Sequence, residues 1–219
     1  MSQESGKEQS YYDAPNDLEQ MILITKQSLV TLTCGEGLGS GWVYEIDWSN
    51  VVDSEAKEIL NQYKSAVISN HHVIEECIDD ADLPKSAILG ATGLTRDFYI
   101  WTWDKENDLA LVLIDAELKP LQVSVESPKA GWWTLAIGSP WELNSSVSVG
   151  NLVSADQSIT NFDLITTSLL NPGNSGGPLL DSRGAVIGTN TWSVNDQDLG
   201  FYNIATSVNA MCEEILECN

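Results

Sequence analysis

The amino-acid sequence predicts an all-β protein built as one domain. Short apolar runs rich in Thr, Val and Ile dominate residues 28–206, and clusters of Gly, Pro, Asn and Ser separate them, as in a series of short strands. A length of 219 residues suits one domain with a full core. Two segments depart from the strand pattern, because apolar residues at helical spacing predict a helix over 53–64, and a C-terminal helix is expected over 208–218.

The first twenty residues differ in composition from the rest of the chain. They are polar and acidic, so residues 1–20 are predicted to form a flexible segment that precedes a domain spanning residues 21–219. Tyr11 and Tyr12 lie in this segment, and two exposed tyrosines on a loose tail are the favoured interpretation.

The most informative motif is the run Asn-Pro-Gly-Asn-Ser-Gly-Gly-Pro at residues 171–178. Glycine can adopt positive φ and proline fixes φ, so the run predicts a rigid, sharply turned loop around Ser175. Side chains are few there, and backbone N–H groups can face a ligand at close range. A hydroxyl beside such donors provides the nucleophile and the oxyanion stabiliser of acyl transfer. The alternative is a tight hairpin turn with an incidental serine.

A serine nucleophile needs a base and a group that orients the base, and few residues qualify. The chain has two histidines, His71 and His72, which follow a predicted strand over residues 65–70. Asp108 opens the apolar run 108–115, and a buried acid is rare without a partner. The order His, Asp, Ser is that of chymotrypsin. The alternative for His71 and His72 is a surface turn with solvated imidazoles. The alternative for Asp108 is an ordinary aspartate that opens a strand.

Several segments of the sequence resemble one protein family. Residues 69–74, 108–111 and 173–179 resemble the three signature segments of trypsin-like serine proteases. Residues 39–42, 136–140, 183–191 and 200–201 narrow the resemblance to the protease domain of the HtrA group. The resemblance implies two six-stranded antiparallel β-barrels that pack face to face in a chymotrypsin-like fold, with the site in the cleft between them.

The resemblance also assigns roles to individual residues. His72 is the expected base, Asp108 the group that orients it, and Ser175 the nucleophile. The oxyanion hole is expected in the loop of Gly173, Asn174 and Ser175, with the N–H groups of Gly173 and Ser175 as donors. Digestive proteases have an aspartate at the position of Asn174, where it binds a newly cleaved N-terminus, so activity is expected here without N-terminal cleavage.

The substrate-binding residues are expected on both sides of the nucleophile. Leu169 and Leu170 form an apolar floor for the primary specificity pocket, which predicts cleavage after small or medium aliphatic residues. The opposite wall is predicted to consist of Thr189, Asn190 and Thr191, which pair with an extended substrate by strand addition. Trp192 is interpreted equally well as part of this wall or as a core residue.

Composition limits the partners. The net charge of −22, from 32 acidic and 10 basic residues, disfavours binding of nucleic acid and of anionic membranes.

The sequence has no apolar stretch long enough to span a membrane and starts without the features of a secretory signal, so a cytoplasmic location is predicted. The cysteines lack metal-ligand spacing, and neither a metal nor a cofactor is expected. In a reducing cytosol free thiols are predicted for Cys34, Cys77, Cys212 and Cys218.

The function predicted from these observations is a serine endopeptidase that acts on polypeptide through an acyl-enzyme. The alternative is a catalytically silent protease-fold module that binds peptides or a partner protein. The sequence ends after the predicted C-terminal helix, so no PDZ domain is expected. The resemblance leaves two alternatives open, which are activation by a regulatory protein partner and a homotrimer anchored by Tyr11 and Tyr12.

Overall fold

The computed structural model describes residues 9–139, 146–155, 163–171, 173–196 and 200–216. Within these ranges the chain forms two β-sheets with few helices, which confirms the all-β prediction and the double-barrel arrangement. The first sheet contains β1 (Leu29–Cys34), β2 (Gly37–Tyr44), β3 (Ser65–Ser69), β4 (Lys85–Leu89), β5 (Thr95–Arg96), β6 (Phe98–Asp104) and β7 (Leu109–Ile114). The second contains β8 (Trp133–Gly138), β9 (Ser146–Ser154), β10 (Asp163–Thr166), β11 (Pro178–Leu180), β12 (Val186–Asp196) and β13 (Gly200–Ser207).

The two sheets close to different degrees. The second is a closed six-stranded barrel in the order β10-β13-β12-β11-β8-β9, as expected. The first has seven strands in the order β5-β4-β1-β2-β3-β7-β6, and no backbone ladder joins its edge strands β5 and β6. The first half is thus a half-barrel within the double-barrel fold, and it stays open where a closed six-stranded barrel was expected, since β5 has only two residues and pairs with β4 alone.

One apolar cluster joins the two sheets. Strands alternate their side chains between two faces, so each sheet directs one apolar face towards the other. The shared cluster includes Trp42, Leu109 and Leu111 of the first sheet and Leu135, Ile137 and Leu180 of the second, all almost completely buried. This common core fixes the sheets against each other and thereby positions the cleft between them.

Both predicted helices are present, and two more were not predicted. The first, α2 (Ser54–Leu60), begins where the Asp53 carboxylate accepts a hydrogen bond from the helix backbone. The C-terminal helix α4 (Val208–Glu214) lies within the predicted 208–218. The additional helices are α1 (Leu18–Lys26) and α3 (His71–Asp79). No helix within the described ranges is both long enough and apolar enough to cross a membrane.

Part of the N-terminal segment, which was expected to be flexible over residues 1–20, contacts the second half of the molecule. Residues 1–8 lie outside the described part of the chain, and Gln9, Ser10 and Tyr11 make these contacts. The Tyr11 ring stacks on Trp132 with 3.9 Å between ring centroids. The backbone N–H of Trp133 donates to the Tyr11 carbonyl at 2.8 Å. An aromatic stack contributes beyond the area it buries, so it stabilises the attachment of Tyr11. The flexibility of residues 1–20 stays a prediction.

The prediction of free thiols was wrong. A disulfide joins Cys34, the last residue of β1, to Cys77 in α3, and Cys212 is also disulfide-bonded, whereas Cys218 lies outside the described residues. The fold brings the Cα atoms of Cys34 and Cys77 to 5.8 Å, within the range that a disulfide spans. Structural disulfides are typical of oxidising compartments. The cytoplasmic location stays a prediction, and this pairing weighs against it.

Candidate active site

A cleft of about 790 Å³ lies between the two halves and contains the predicted catalytic residues. His72 and Asp108 line it from the first half, and Ser175 lines it from the second. The sequence places these residues 36 and 67 positions apart, so only the fold brings them together. The residues that line the cleft also include Glu75, Lys105, Leu170, Thr191 and Trp192.

His72 and Asp108 bind each other at two points. The Asp108 Oδ2 atom lies 2.7 Å from Nδ1 of His72, and its Oδ1 atom accepts the backbone N–H of His72 at 2.9 Å. A carboxylate only accepts hydrogen bonds, so this contact requires the tautomer with its proton on Nδ1. In the neutral imidazole with this tautomer, Nε2 is the nitrogen without a proton, the one that can act as a base.

Local structure explains why this pair forms. His72 lies in the first turn of α3, where backbone N–H groups have no partner within the helix. Asn70 at the N-cap makes no capping bond with its side chain, and the Asp108 carboxylate serves instead. The Asn70 amide nitrogen donates to the Asp108 carbonyl at 2.7 Å. This bond holds Asp108 in a left-handed conformation with φ of 50°, which aspartate tolerates better than most residues.

Ser175 is present in the cleft but is not bonded to His72. Its hydroxyl donates to the Thr191 carbonyl at 2.9 Å, and within the described residues no hydrogen bond joins it to the imidazole. Hydrogen bonds of catalytic groups are often absent or long before substrate binds. A change in the Ser175 side-chain rotamer is therefore part of any reaction at this site.

The loop around Ser175 requires glycine at two positions. Gly173 has φ of 93° and Gly176 has φ of 83°, both in the left-handed region that side chains disfavour. A Cβ atom on Gly176 would also overlap the carbonyl oxygen of Ser40 in β2. The glycines thus let the second half approach the first half closely enough to present the serine in the cleft.

The three residues predicted for the oxyanion hole are not equivalent. The Asn174 N–H donates to the Asn171 carbonyl at 2.9 Å, which removes it as a donor to substrate. No described residue accepts a hydrogen bond from the backbone N–H of Gly173 or Ser175. These two groups are the available donors, and the Asn174 side chain is completely buried beneath them.

The predicted substrate-binding residues divide between the cleft and the core. Leu170 lines the cleft, whereas Leu169 is 53% exposed and lies outside the cleft lining. Thr191 and Trp192 form the opposite wall, with Trp192 57% exposed rather than in the core.

Two other residues of the predicted wall support it from behind. The Thr189 hydroxyl accepts the Trp42 indole N–H in the core. The Asn190 backbone bonds to Gly176 and Gly177 of the nucleophile loop. Both are fully buried, so they position the wall and do not face substrate.

An ion pair crosses one end of the cleft. The Lys105 ammonium lies 2.7 Å from the Glu75 carboxylate. The hydrogen bond between them lowers the pKa of Glu75 and raises the pKa of Lys105, so both groups are charged at neutral pH. Both side chains are solvent-accessible, so the pair contributes little to stability.

The sequence interpretation assigned no role to Ser40, although its position in the segment 39–42 was part of the family resemblance. This buried serine bonds to the loop that carries Ser175. The small residues on both sides of Ser40 were the available signal, because glycines flanking one polar residue indicate a close approach of backbones.

Two packed β-sheets, with a histidine–aspartate pair from one half and a serine from the other, have the arrangement of chymotrypsin-like hydrolases. The sequence comparisons agree, because residues 39–188 match the model of the trypsin-like peptidase domain. The chain therefore belongs to the trypsin-like peptidase domain family. The match covers the histidine, aspartate and serine described above.

Individual relatives narrow the similarity to proteases named DegP-like and Do-like. The chain is 36% identical over 132 residues to a probable periplasmic serine endoprotease, DegP-like, of Chlamydia trachomatis, a match that covers 57% of this chain and 25% of that protein. It is 30% identical over 176 residues to the chloroplastic Protease Do-like 1 of Arabidopsis thaliana, covering 75% of this chain and 35% of that protein. The chain thus spans about a third or less of the length of these relatives.

Solved structures support the fold. The serine endoprotease from Yersinia pestis aligns with a TM-score of 0.70 at 22% identity, covering 92% of this chain and 66% of that chain. At this identity the likeness concerns the fold alone.

Proposed function

We propose that the chain is a serine endopeptidase that hydrolyses polypeptide through an acyl-enzyme, with His72, Asp108 and Ser175 as its triad. The observation that carries the proposal is the two-point contact of Asp108 with His72 in the cleft that also contains Ser175. This contact sets the imidazole tautomer that can accept a proton from a serine hydroxyl.

The proposed reaction starts with rotation of the Ser175 hydroxyl from the Thr191 carbonyl to Nε2 of His72. The imidazole takes the hydroxyl proton as Ser175 Oγ attacks the scissile carbonyl, and the Gly173 and Ser175 N–H groups bind the oxyanion. The imidazolium then gives this proton to the leaving amine, which leaves an acyl-enzyme. Water, deprotonated by His72, attacks the ester, and Ser175 regains its proton as the acid product leaves.

Substrate itself can release the nucleophile. An extended peptide that adds to the edge of β12 would place a backbone N–H against the Thr191 carbonyl, the acceptor that the Ser175 hydroxyl occupies. Competition for this acceptor frees the hydroxyl to turn towards His72. The proposal thus links binding of an extended substrate to formation of the Ser–His contact.

Covalent labelling tests the activity. A fluorophosphonate probe is expected to label the wild-type chain, and Ser175→Ala is expected to abolish labelling and peptide hydrolysis. The control Ser182→Ala removes a buried hydroxyl that bonds to the Ser10 carbonyl on the N-terminal segment, and it should label normally. Equal labelling of wild type and Ser175→Ala would refute the triad, and a wild type that neither labels nor hydrolyses would identify a silent binding module.

The proposed specificity is for small or medium aliphatic residues before the cleaved bond, with Leu170 as the apolar contact. A peptide library varied at this position is expected to show that preference, and Leu170→Ala is expected to broaden it towards larger residues. Leu169→Ala is the matched control, because this exposed neighbour lies outside the cleft and should leave the profile unchanged. A preference of the wild type for Arg would contradict the assignment.

Regulation by a protein partner and assembly into a trimer stay predictions. In the structure Tyr11 is engaged by Trp132, whereas the Tyr12 side chain is 57% exposed. Of the two predicted anchors, Tyr12 is therefore the one available to another subunit. Light scattering of the purified chain measures the oligomeric state directly.

A further inference from the structure

Ser40 in the middle of β2 connects the two halves of the molecule with its backbone. It is completely buried, its N–H donates to the Ser175 carbonyl at 2.7 Å, and its own carbonyl accepts the Ser69 hydroxyl at 2.7 Å. These bonds are made by any residue at this position, so they do not explain why a serine is there.

The hydroxyl of Ser40 makes two further bonds, both to the second half. It donates to the Gly173 carbonyl at 2.6 Å and accepts the Ser139 backbone N–H at 2.8 Å. A serine hydroxyl has one hydrogen to donate, and here it is directed to the loop that carries the oxyanion donors. The side chain therefore links β2, the end of β8 and the nucleophile loop at one atom.

The Gly173–Asn174 peptide is held from both sides by these contacts. Its carbonyl accepts the Ser40 hydroxyl, and its N–H donates to the Asn171 carbonyl at 2.9 Å. Glycine restricts its own backbone little, so local sterics leave the orientation at Gly173 open. The Asn171 contact holds the N–H side of this peptide from within the loop, and the Ser40 hydroxyl holds its carbonyl side from the other half of the molecule.

Backbone packs closely around the hydroxyl. A Cβ atom placed on Gly138 would lie 2.9 Å from Ser40 Oγ. Without the hydroxyl, the Gly173 carbonyl and the Ser139 N–H would be buried without their partner, which favours rotation of the peptide.

We propose that Ser40 is a positioning residue, whose hydroxyl sets the orientation of the Gly173–Asn174 peptide. This peptide lies between the two peptide units that carry the Gly173 and Ser175 N–H groups, so its orientation keeps both donors in place for the oxyanion. This inference rests on the proposed peptidase function and deepens it. The Ser40 hydroxyl touches neither substrate nor reacting atoms, and it acts through the Gly173 carbonyl.

The test compares turnover with binding in Ser40→Ala. We expect kcat to fall about 10- to 100-fold, less than the loss of about 10²–10³ on removal of an oxyanion donor itself. KM should stay unchanged, since the substrate wall at Thr191 is intact. A peptidyl trifluoromethyl ketone forms an adduct that carries an oxyanion, so its Ki should rise by the same factor as kcat falls. The Ki of a product peptide, which forms no oxyanion, should not change.

Thr31→Val is the matched control. Thr31 is a buried residue of β1 whose hydroxyl donates to the Ser139 hydroxyl at 2.7 Å, so it contacts the same neighbour without reaching Gly173. Its kcat should stay within about twofold of wild type. Ser40→Cys replaces the hydroxyl by a larger thiol that is a weaker donor and should show intermediate kcat, which supplies a second variant if Ser40→Ala folds poorly.

Three outcomes separate the proposals. Unchanged kcat in Ser40→Ala or Ser40→Cys, with an active wild type, would overturn the role of Ser40 alone. An equal loss in Thr31→Val would also overturn it, because the effect would then arise at Ser139. A wild type that fails to react with the fluorophosphonate probe would instead overturn the proposed function.

Discussion

Replacement of Asp108 by Asn is expected to lower kcat/KM about 10⁴-fold with the fold intact, the size of effect that loss of the orienting carboxylate has in a serine-protease triad. The structure supplies a specific reason. The backbone N–H of His72 binds one side-chain oxygen of Asp108. In Asp108→Asn the backbone N–H of His72 would bind the amide oxygen of the new side chain, which directs its NH₂ group at Nδ1 of the imidazole. Nδ1 would then have to accept a hydrogen bond, so the imidazole proton would move to Nε2 and the ring could no longer act as a base there.

The matched control for this variant is Asp115→Asn at the other end of the same apolar run. Asp115 pairs with Lys64 at 3.2 Å on the surface, where both side chains are more than half exposed, so activity and stability should change little. Steady-state hydrolysis of one peptide, with thermal unfolding of each variant, provides the measurement. A folded Asp108→Asn protein that retains more than about a tenth of wild-type activity would show that the observed pair is not the catalytic one.

Loss of the Cys34–Cys77 disulfide is expected to have the largest effect on stability. The bond closes a loop over a sequence separation of 43 residues, for which the chain-entropy model predicts about 4 kcal/mol of stabilisation. Both cysteines are almost completely buried, and the bond ties α3, which carries His72, to β1. The double variant Cys34→Ser, Cys77→Ser should therefore unfold at much lower urea concentration than wild type.

The comparison is made by urea unfolding without reductant, from the free energy of unfolding extrapolated to water. Each single variant serves as a control, because either one breaks the same bond and both should lose a similar amount. A change below about 1 kcal/mol in the double variant would indicate that the reduced loop is already constrained by α3 packing.

The sequence predicted the elements whose signal is local. The run of glycines and prolines around Ser175 predicts a turn wherever it occurs, and the apolar run after Asp108 predicts a core strand. The helix α3 was missed because Val73, Ile74 and Cys77 follow a strand closely and continue its apolar character. What makes the segment helical is the packing of these side chains together with the Asp108 carboxylate at its first turn, both supplied by distant parts of the chain.

The remaining differences also arise from contacts between distant residues. The polar composition of the N-terminal segment predicted a flexible tail, because no residue near Tyr11 in the sequence indicates that its ring stacks on Trp132. The choice between Leu169 and Leu170 depends on which of two neighbours faces the cleft, a property of the backbone direction at that point. The role of Ser40 could not be predicted from the sequence, because it depends on a contact with Gly173, which lies in the other half of the molecule.

The attachment of His72 has a consequence for how such a protein can evolve. His72, the proposed base, is anchored within the first half by Asp108 and by a disulfide in its own helix, whereas Leu170, Thr191 and Trp192 belong to the second half. Under the proposed function, selection for a new cleavage preference can act on one half while the other preserves proton transfer. Divergence of substrate range within a lineage then needs no simultaneous change in the residues that perform the chemistry.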